Sequence, residues 1–538
     1  KLSAGNKSTR FAMSNSWPPN DCSLINAGDT SWILVSCALV LLMTPGLAFF
    51  YGGLVHRTSV LTIIMQCFIS MGVTSMVWVV IGFSLAFGED RGGVIGTPAS
   101  YAMLTNLDGC TPTGYPMSSG TGQIPGILFA GYQMMFAIIA PALITGAFAD
   151  RVRFKAYLIF IVLWLILVYC PFVHWVWSPN GFLAVWGVKD FAGGIVVHIS
   201  AGFAALASIF VVGRRQYASD EERHRMQLPH NRTFVALGTG LLWVGWFGFN
   251  GGSAIASNSQ AAFALVNSSI AASVAMVTWM CIEWVHIGKP TLIGACIGAI
   301  AGLATITPAA GFVRPWAGFV IGAVTGFGCY GCVQIRDILK WDDALDVWGV
   351  HGMGGLFGTL MLGFLADEDI GGQGRSGLFF GKQLAACVGT AVYSFVVSYV
   401  LLVVVNLVTP IVPDASEIAM GLDVSLHGEQ AYDDEALDLS KSSPKDWDAY
   451  GNSASYEGAA NTVYQQARAI PVQSQSYAPP PAQPPAQPQY APQQQPQAAP
   501  AYGGHQVVQL QPAPQPIQVQ QMPQQVIQVP PPGFAPQY

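Results

Sequence analysis

Charge is what this chain most lacks. Asp, Glu, Lys and Arg make up only 10% of its 538 residues, against roughly 25% in a typical soluble domain. With 52% hydrophobic residues, that balance excludes an ordinary water-soluble globule and indicates a polytopic membrane protein. Basic runs and zinc-finger spacings are missing too, so no nucleic-acid partner is expected. The net charge of −6 sums polar tails with the apolar body and points to no charged partner. The 10 cysteines are scattered, and no two CxxC motifs stand at the spacing of a metal site. Only Cys22 and Cys110 lie in polar stretches expected to share one face. A disulfide between them is one reading, but sequence does not reveal connectivity.

What is present is apolar sequence in long runs. Eleven stretches approach the ~20 residues that a membrane-crossing helix requires: 30–52, 59–87, 124–149, 156–177, 191–212, 233–253, 261–286, 291–307, 315–335, 347–366 and 383–408. None of the 23 Lys and Arg falls inside one. With the N-terminus outside, twelve of them, from Arg57 to Lys340, lie in cytoplasmic loops. Five, Arg91, Lys189, Arg314, Arg375 and Lys382, lie in outer loops. That asymmetry follows the positive-inside rule and predicts an N-out, C-in orientation. The eighth and tenth stretches are short and glycine-rich, as in helices that pack closely against neighbours.

Four segments result. Residues 1–29 form an extracellular N-terminal segment, in which Asn6-Lys-Ser is a glycosylation sequon if that end is outside. Residues 30–408 form the eleven-helix body, and 409–432 a cytoplasmic region. Residues 433–538 are acidic and then rich in Gln and Pro, a composition that cannot bury enough apolar surface to fold alone. The tail is expected to be disordered, either as a docking segment or as a tolerated extension.

Two histidines stand inside apolar, glycine-rich runs: His198 in Asp190-Phe-Ala-Gly-Gly-Ile-Val-Val-His198 and His351 in Asp346-Val-Trp-Gly-Val-His351. An ionisable group in hydrocarbon is costly and is by default a functional-site hypothesis. Span five descends from outside and span ten rises from inside, and each histidine follows an aspartate that opens the helix. At 1.5 Å per residue His198 lies about 12 Å and His351 about 7.5 Å past its aspartate, so the two approach the midplane from opposite faces. This is the geometry of an inverted five-plus-five repeat plus one helix, with the site between the halves. The bland alternative is a pair of imidazoles bonded to backbone carbonyls. Zinc wants three or four ligands, and no Cys, Glu or further His joins the pair at ligand spacing, so neither a metal nor a metal-dependent enzyme is expected. For Asp190 the alternative is a ligand or catalytic acid; for Asp190 and Asp346 alike, the expected role is the helix N-cap.

These runs resemble signatures of the ammonium transporter family (Amt/Mep/Rh). So do Ala149-Asp-Arg-Val-Arg-Phe154, Gly245-Trp-Phe-Gly-Phe-Asn-Gly-Gly-Ser253 and Gly421-Leu-Asp-Val-Ser-Leu-His-Gly-Glu-Gln-Ala-Tyr432. The resemblance covers about 28–432, and Trp177 together with the Asp190-to-His198 run favours the Amt/Mep branch. It implies a plasma-membrane homotrimer with one pore per subunit, conducting ammonium or ammonia without a cofactor. It also implies an outer cation site at Trp177 and Ser253, a phenylalanine gate at Phe136 and Phe249, and a twin-histidine pore at His198 and His351. Taken alone, Trp177 reads as an interface-belt tryptophan and the two phenylalanines as core packing.

The chemistry suits those residue types. A Trp face attracts a small cation and a Ser hydroxyl accepts an N–H bond, so together they replace part of the hydration of ammonium. A dry aromatic constriction penalises charge and presses the ion to release its proton. Neutral imidazoles can hold ammonia and relay that proton, which Lys and Arg cannot because neither has an acceptor. The resemblance further implies that 413–432 is a regulatory region contacting a neighbouring subunit. In it Ser425 occupies the position of a phosphorylatable residue in plant relatives, where added charge would uncouple the contact; the plain reading is a helix-end serine. A second function class is a receptor that senses ammonium through the same fold and signals through its tail. Deleting 433–538 separates the two: unaltered uptake with lost signalling would mark the receptor.

Overall fold

The computed structural model describes residues 23, 25–107, 124–215, 219 and 226–432. Asn6, Cys22, Cys110 and the tail 433–538 lie outside the described residues, and with them the sequon and the disulfide reading. The remaining eight cysteines are free thiols.

The body is helical: α1 Ala27–Leu54, α2 Val60–Phe87, α3 Gly126–Ile144, α4 154–177, α5 Gly194–Val212, α6 Arg232–Gly252, α7 Ser259–His286, α8 Leu292–Ile306, α9 Pro315–Leu339, α10 Trp348–Leu365 and α11 Gly377–Val408. Ten of these are long and apolar enough to cross a membrane, and α8 is the exception. At 15 residues, α8 rises about 22 Å, short of the roughly 30 Å hydrocarbon layer. The two runs read as short and glycine-rich are thus the two shortest helices, and both are largely buried among neighbours.

Among the described residues, four π-helical turns interrupt the regular winding: Trp78–Gly82, Leu165–Tyr169, Gly194–Ile199 and Trp348–Gly352. The last two contain His198 and His351. A π turn is uncommon and tends to mark functional positions, and hydropathy carries no signal for it. Its effect is local, since i→i+5 bonding widens the helix by one residue and swings the side chains after it. Span five also begins later than its apolar run, because 190–193 is not helical.

Close helix approach needs small residues. The decisive contact joins α5 and α10: a Cβ on Gly202 would overlap the backbone of Gly352. The crossing lies four residues past His198 and next to His351, which lets the two imidazoles meet.

Beyond α11, the short helices α12 Ala415–Met420 and α13 Leu422–His427 fold back onto the bundle. Asp414 and Glu417 form a capping box on α12, and Glu417 Oε2 pairs with Arg153 at 2.6 Å. The Asp423 carboxylate accepts from the amides of Leu61 (3.0 Å) and Thr62 (2.7 Å). It thereby caps α2, whose own N-cap Ser59 makes no such bond.

Candidate functional site

Trp177 closes α4, and Ser253 is the C-cap residue of α6. Both line a cavity of about 270 Å³, together with Phe136, Gln133, Lys189 and Asp190. The Trp177 indole stands edge-on to Phe136, with centroids 5.8 Å apart, and its Nε1–H donates to the Asp190 carbonyl at 2.9 Å. The Ser253 hydroxyl donates to the Phe249 carbonyl at 2.8 Å, which leaves its lone pairs for a cationic donor. Tyr132 supports this corner by donating to the Gly248 carbonyl at 2.9 Å.

Phe136 lines that cavity, and Phe249 packs against it and lines the pocket beyond. Their rings lie 4.3 Å apart at 34°, and both are buried. Below Phe249 comes His198, with ring centroids 6.1 Å apart. His198 Nδ1 and His351 Nδ1 are 3.3 Å apart, and the rings are near-parallel at 15°. The distance requires one proton between the two nitrogens, so one imidazole donates and the other accepts. His198 Nε2 is buried with no hydrogen-bond partner among the described residues, and the Trp246 indole stacks on the ring at 5.6 Å. Around the pair lies a cavity of about 10 Å³, lined by Leu47, Leu143, Val197, Leu242 and Ile300 among others. An unmet ring nitrogen in an apolar passage suits a small neutral molecule with N–H bonds.

The Asp190 carboxylate does cap its helix, though from three residues before the N-cap position at Gly193, whereas the Asp346 carboxylate does not cap the helix of His351. Asp190 Oδ1 accepts from the amides of Gly193 (2.9 Å) and Gly194 (2.7 Å), and Oδ2 from those of Ile195 (2.7 Å) and Val196 (3.1 Å). All the carboxylate's acceptor positions are used on the helix that carries His198, which argues against catalytic-acid duty. Asp346 instead has φ 60°, a left-handed conformation that Asp tolerates better than most residues. Its carboxylate pairs with Arg336. The cap of the His351 helix is Asp343, three positions upstream, whose Oδ2 accepts from Trp348 N–H at 2.7 Å.

Asp343 adjoins a charge cluster at the same end of the bundle. Arg151 donates to the Gly213 carbonyl (2.7 Å) and the Asp342 carbonyl (2.7 Å), and Arg215 meets the Asp342 carboxylate at 2.7 Å. Burial pushes the Arg151 guanidinium down to about 10. Burial would raise Asp342, but Arg151 and Arg215 hold it below the usual carboxylate range.

The sequence motifs thus converge on one line: Trp177 and Ser253, then Phe136 and Phe249, then His198 and His351. Ser425 stands apart in α13, its Oγ buried and without a partner among the described residues. Sequence reasoning missed Gln133, Trp246 and Asp343. It also missed His174, which is fully buried between the Ala86 carbonyl and the Asp90 carboxylate, each at 2.9 Å. Trp246 lay inside a quoted motif, whereas a lone Gln or a second Asp in a loop carries no periodic signal. Among the described residues, no group of three or more His, Cys, Asp and Glu side chains could hold a metal ion.

The model of the Ammonium Transporter Family matches residues 31–432. An ammonium transporter of Aquifex aeolicus is 42% identical over 416 residues, covering 76% of this chain and 94% of that protein. Among solved structures, Saccharomyces cerevisiae Mep2 superposes with a TM-score of 0.67 at 33% identity, covering 73% of this chain and 89% of Mep2. A structure described as a sensor Amt protein gives 0.68 at 28% identity, covering 74% of this chain and 98% of that one. This chain is a multi-pass membrane protein of the Ammonium Transporter Family.

Proposed function

We propose that the line from Trp177 to His351 is the path of ammonium nitrogen into the cytoplasm. The carrying observation is the order of environments along it: a polar cavity, a pair of closely packed, tilted phenylalanines, then an apolar pocket flanked by the two imidazoles. Ammonium binds with its charge against the Trp177 ring and one N–H on the Ser253 hydroxyl. Passing between Phe136 and Phe249 removes water from the ion, which favours loss of its proton. Ammonia then crosses the apolar pocket on the free ring nitrogen of His198. The proton moves through the Nδ1 to Nδ1 bridge, an imidazole exchanging one N–H for another. Transport is therefore electrogenic.

The chain crosses the plasma-membrane bilayer eleven times, N-terminus outside, with α1–α5 and α6–α10 as inverted halves. Supporting this are the loop charges and the opposed approach of α5 and α10, with α8 completing its crossing through the turns after Ile306. The chain assembles as a homotrimer with one path per subunit. Residues 409–432 regulate it by docking on α2 and Arg153, a contact open to a cytoplasmic partner. Phosphate on Ser425, whose Oγ is buried, would bring about −1.5 to −2 charge into that contact and release it.

The test is ammonium-evoked current in oocytes. A His198→Ala, His351→Ala double variant at normal surface abundance is expected to lose at least about tenfold in current, below even the low end of what general acid–base groups contribute. Unchanged current would refute the proton relay. Ser425→Asp is expected to reduce flux, and undiminished flux would remove the switch.

A further inference from the structure

α11 lies outside the two matched halves, yet its polar side chains repeatedly grip the first of them. Gln383, near its start, is fully buried, and one residue occupies both ends of its carboxamide. Oε1 accepts from the Lys189 amide at 3.0 Å, and Nε2 donates to the Lys189 carbonyl at 2.7 Å. Farther along, Ser394 Oγ donates to the Ser200 carbonyl at 2.5 Å, two residues past His198. Ser398 Oγ accepts from Trp164 Nε1 of α4 at 3.1 Å.

The Lys189 grip matters because Asp190 is the next residue. The Asp190 carbonyl holds the Trp177 indole, and the Asp190 carboxylate holds the first amides of the His198 helix. Residues 189 and 190 are thus the junction between the cation cavity and the pore. A carboxamide bonded at both ends to one residue's backbone fixes orientation as well as position, which a single bond or an apolar contact would not. Lys189 also lines the cavity, so its backbone placement sets one wall.

We propose that Gln383 is a positioning residue for ammonium recruitment. By clamping the backbone of Lys189 it fixes Asp190, and through Asp190 the placement of the Trp177 ring relative to the His198 helix. Gln383 touches no substrate and acts through Lys189 and Asp190. The inference rests on reading Trp177 and Ser253 as the recruitment site.

The test measures ammonium-evoked current against ammonium concentration, with surface abundance quantified, for the full-length wild type and for Trp177→Leu, Gln383→Met and Gln383→Asn. Gln383→Met keeps the length and removes both bonds. Its half-saturating concentration is expected to rise roughly threefold to tenfold, the fold-change of about one lost hydrogen bond, with maximal current per surface transporter retained. Gln383→Asn, one methylene shorter, is expected to shift less in the same direction, and it carries the test if Gln383→Met does not reach the surface. A purely structural role would lower current in proportion to abundance and leave half-saturation unmoved, which would overturn the proposal. Failure of both Gln383 variants to reach the surface would also overturn it, marking a folding residue. If Trp177→Leu shifts half-saturation and Gln383→Met does not, the positioning role alone falls. If Trp177→Leu shifts nothing either, the recruitment reading falls with it.

Discussion

The helices that carry His198 and His351 read alike in sequence, an aspartate followed by small and apolar residues and then a histidine, yet they are anchored by different means. The α5 start hangs on one carboxylate: Asp190 accepts four backbone amides, and its own carbonyl holds Trp177. The α10 start is held by Asp343, which accepts from the Trp348 amide at 2.7 Å. Beside it is a cluster in which Arg336 pairs with Asp346, and Arg151 and Arg215 pair with Asp342. The first anchor links the helix of His198 to Trp177 and the cavity it lines, through amides bonded to the Asp190 carboxylate and the bond from the Trp177 indole to the Asp190 carbonyl. The second ties the pore to the charged end of the bundle, where Arg153 also receives the C-terminal region. Similar placement of two histidines therefore does not imply similar anchoring: the α5 start is tied to Trp177, the α10 start to a charged cluster.

The difference predicts unequal sensitivity. The largest effect is expected at Asp190→Ala, which strands four amides and frees the Trp177 junction. It should cost about 2–4 kcal/mol and lower the thermal midpoint in detergent by several degrees or more. Asp190→Asn, retaining one acceptor oxygen, should recover part of this. An Asp190→Ala protein as stable as wild type would show that the amides find other partners.

Next comes the contrast at α10. Asp343→Ala removes a buried cap and should cost about 1–2 kcal/mol, whereas Asp346→Ala leaves Arg336 its second partner, Asp337, and should cost less. The same melting experiment decides this, and Asp346→Ala proving the more damaging would restore the symmetric view of the two aspartates.

The smallest effect is in acid. Asp342 is held below the usual carboxylate range by Arg151 and Arg215 against the opposing pull of burial. Its contribution is therefore present above the unfolded value near ~3.9 and lost as pH falls through the lower folded value. Thermal midpoints measured from pH 5 to pH 3 should fall, and Asp342→Asn should flatten that part of the profile. An unchanged slope in Asp342→Asn would assign the acid loss to other carboxylates.

Much of the site was legible because each member is costly or distinctive where it stands. His198 and His351 are conspicuous in apolar runs, Phe249 and Ser253 sit inside a recognisable motif near a predicted helix end, and Trp177 ends a predicted span, whereas Phe136 stood out only through the family resemblance. What escaped were residues whose identity says nothing without a partner. Asp343 and Asp346 are equally plausible caps by spacing, and the left-handed turn at Asp346 decided between them. Gln133 and Gln383 look like stray polar residues in apolar helices until the cavity wall and the Lys189 backbone are seen beside them. The π turns at both histidines leave no mark in hydropathy, because they alter winding and not composition.

By itself the sequence determined that this chain belongs in a bilayer, roughly where its helices run, and which side chains are chemically able to handle a small cation and its proton. Those follow from transfer free energies and side-chain chemistry, which are local properties. Only the tertiary structure decided that the imidazoles meet at Nδ1, that the phenylalanines pack together beside them, and that Asp190, Asp343 and Gln383 hold the ends. Those depend on backbones approaching at Gly202 and Gly352 and on hydrogen bonds between residues far apart in the chain, which no local pattern specifies.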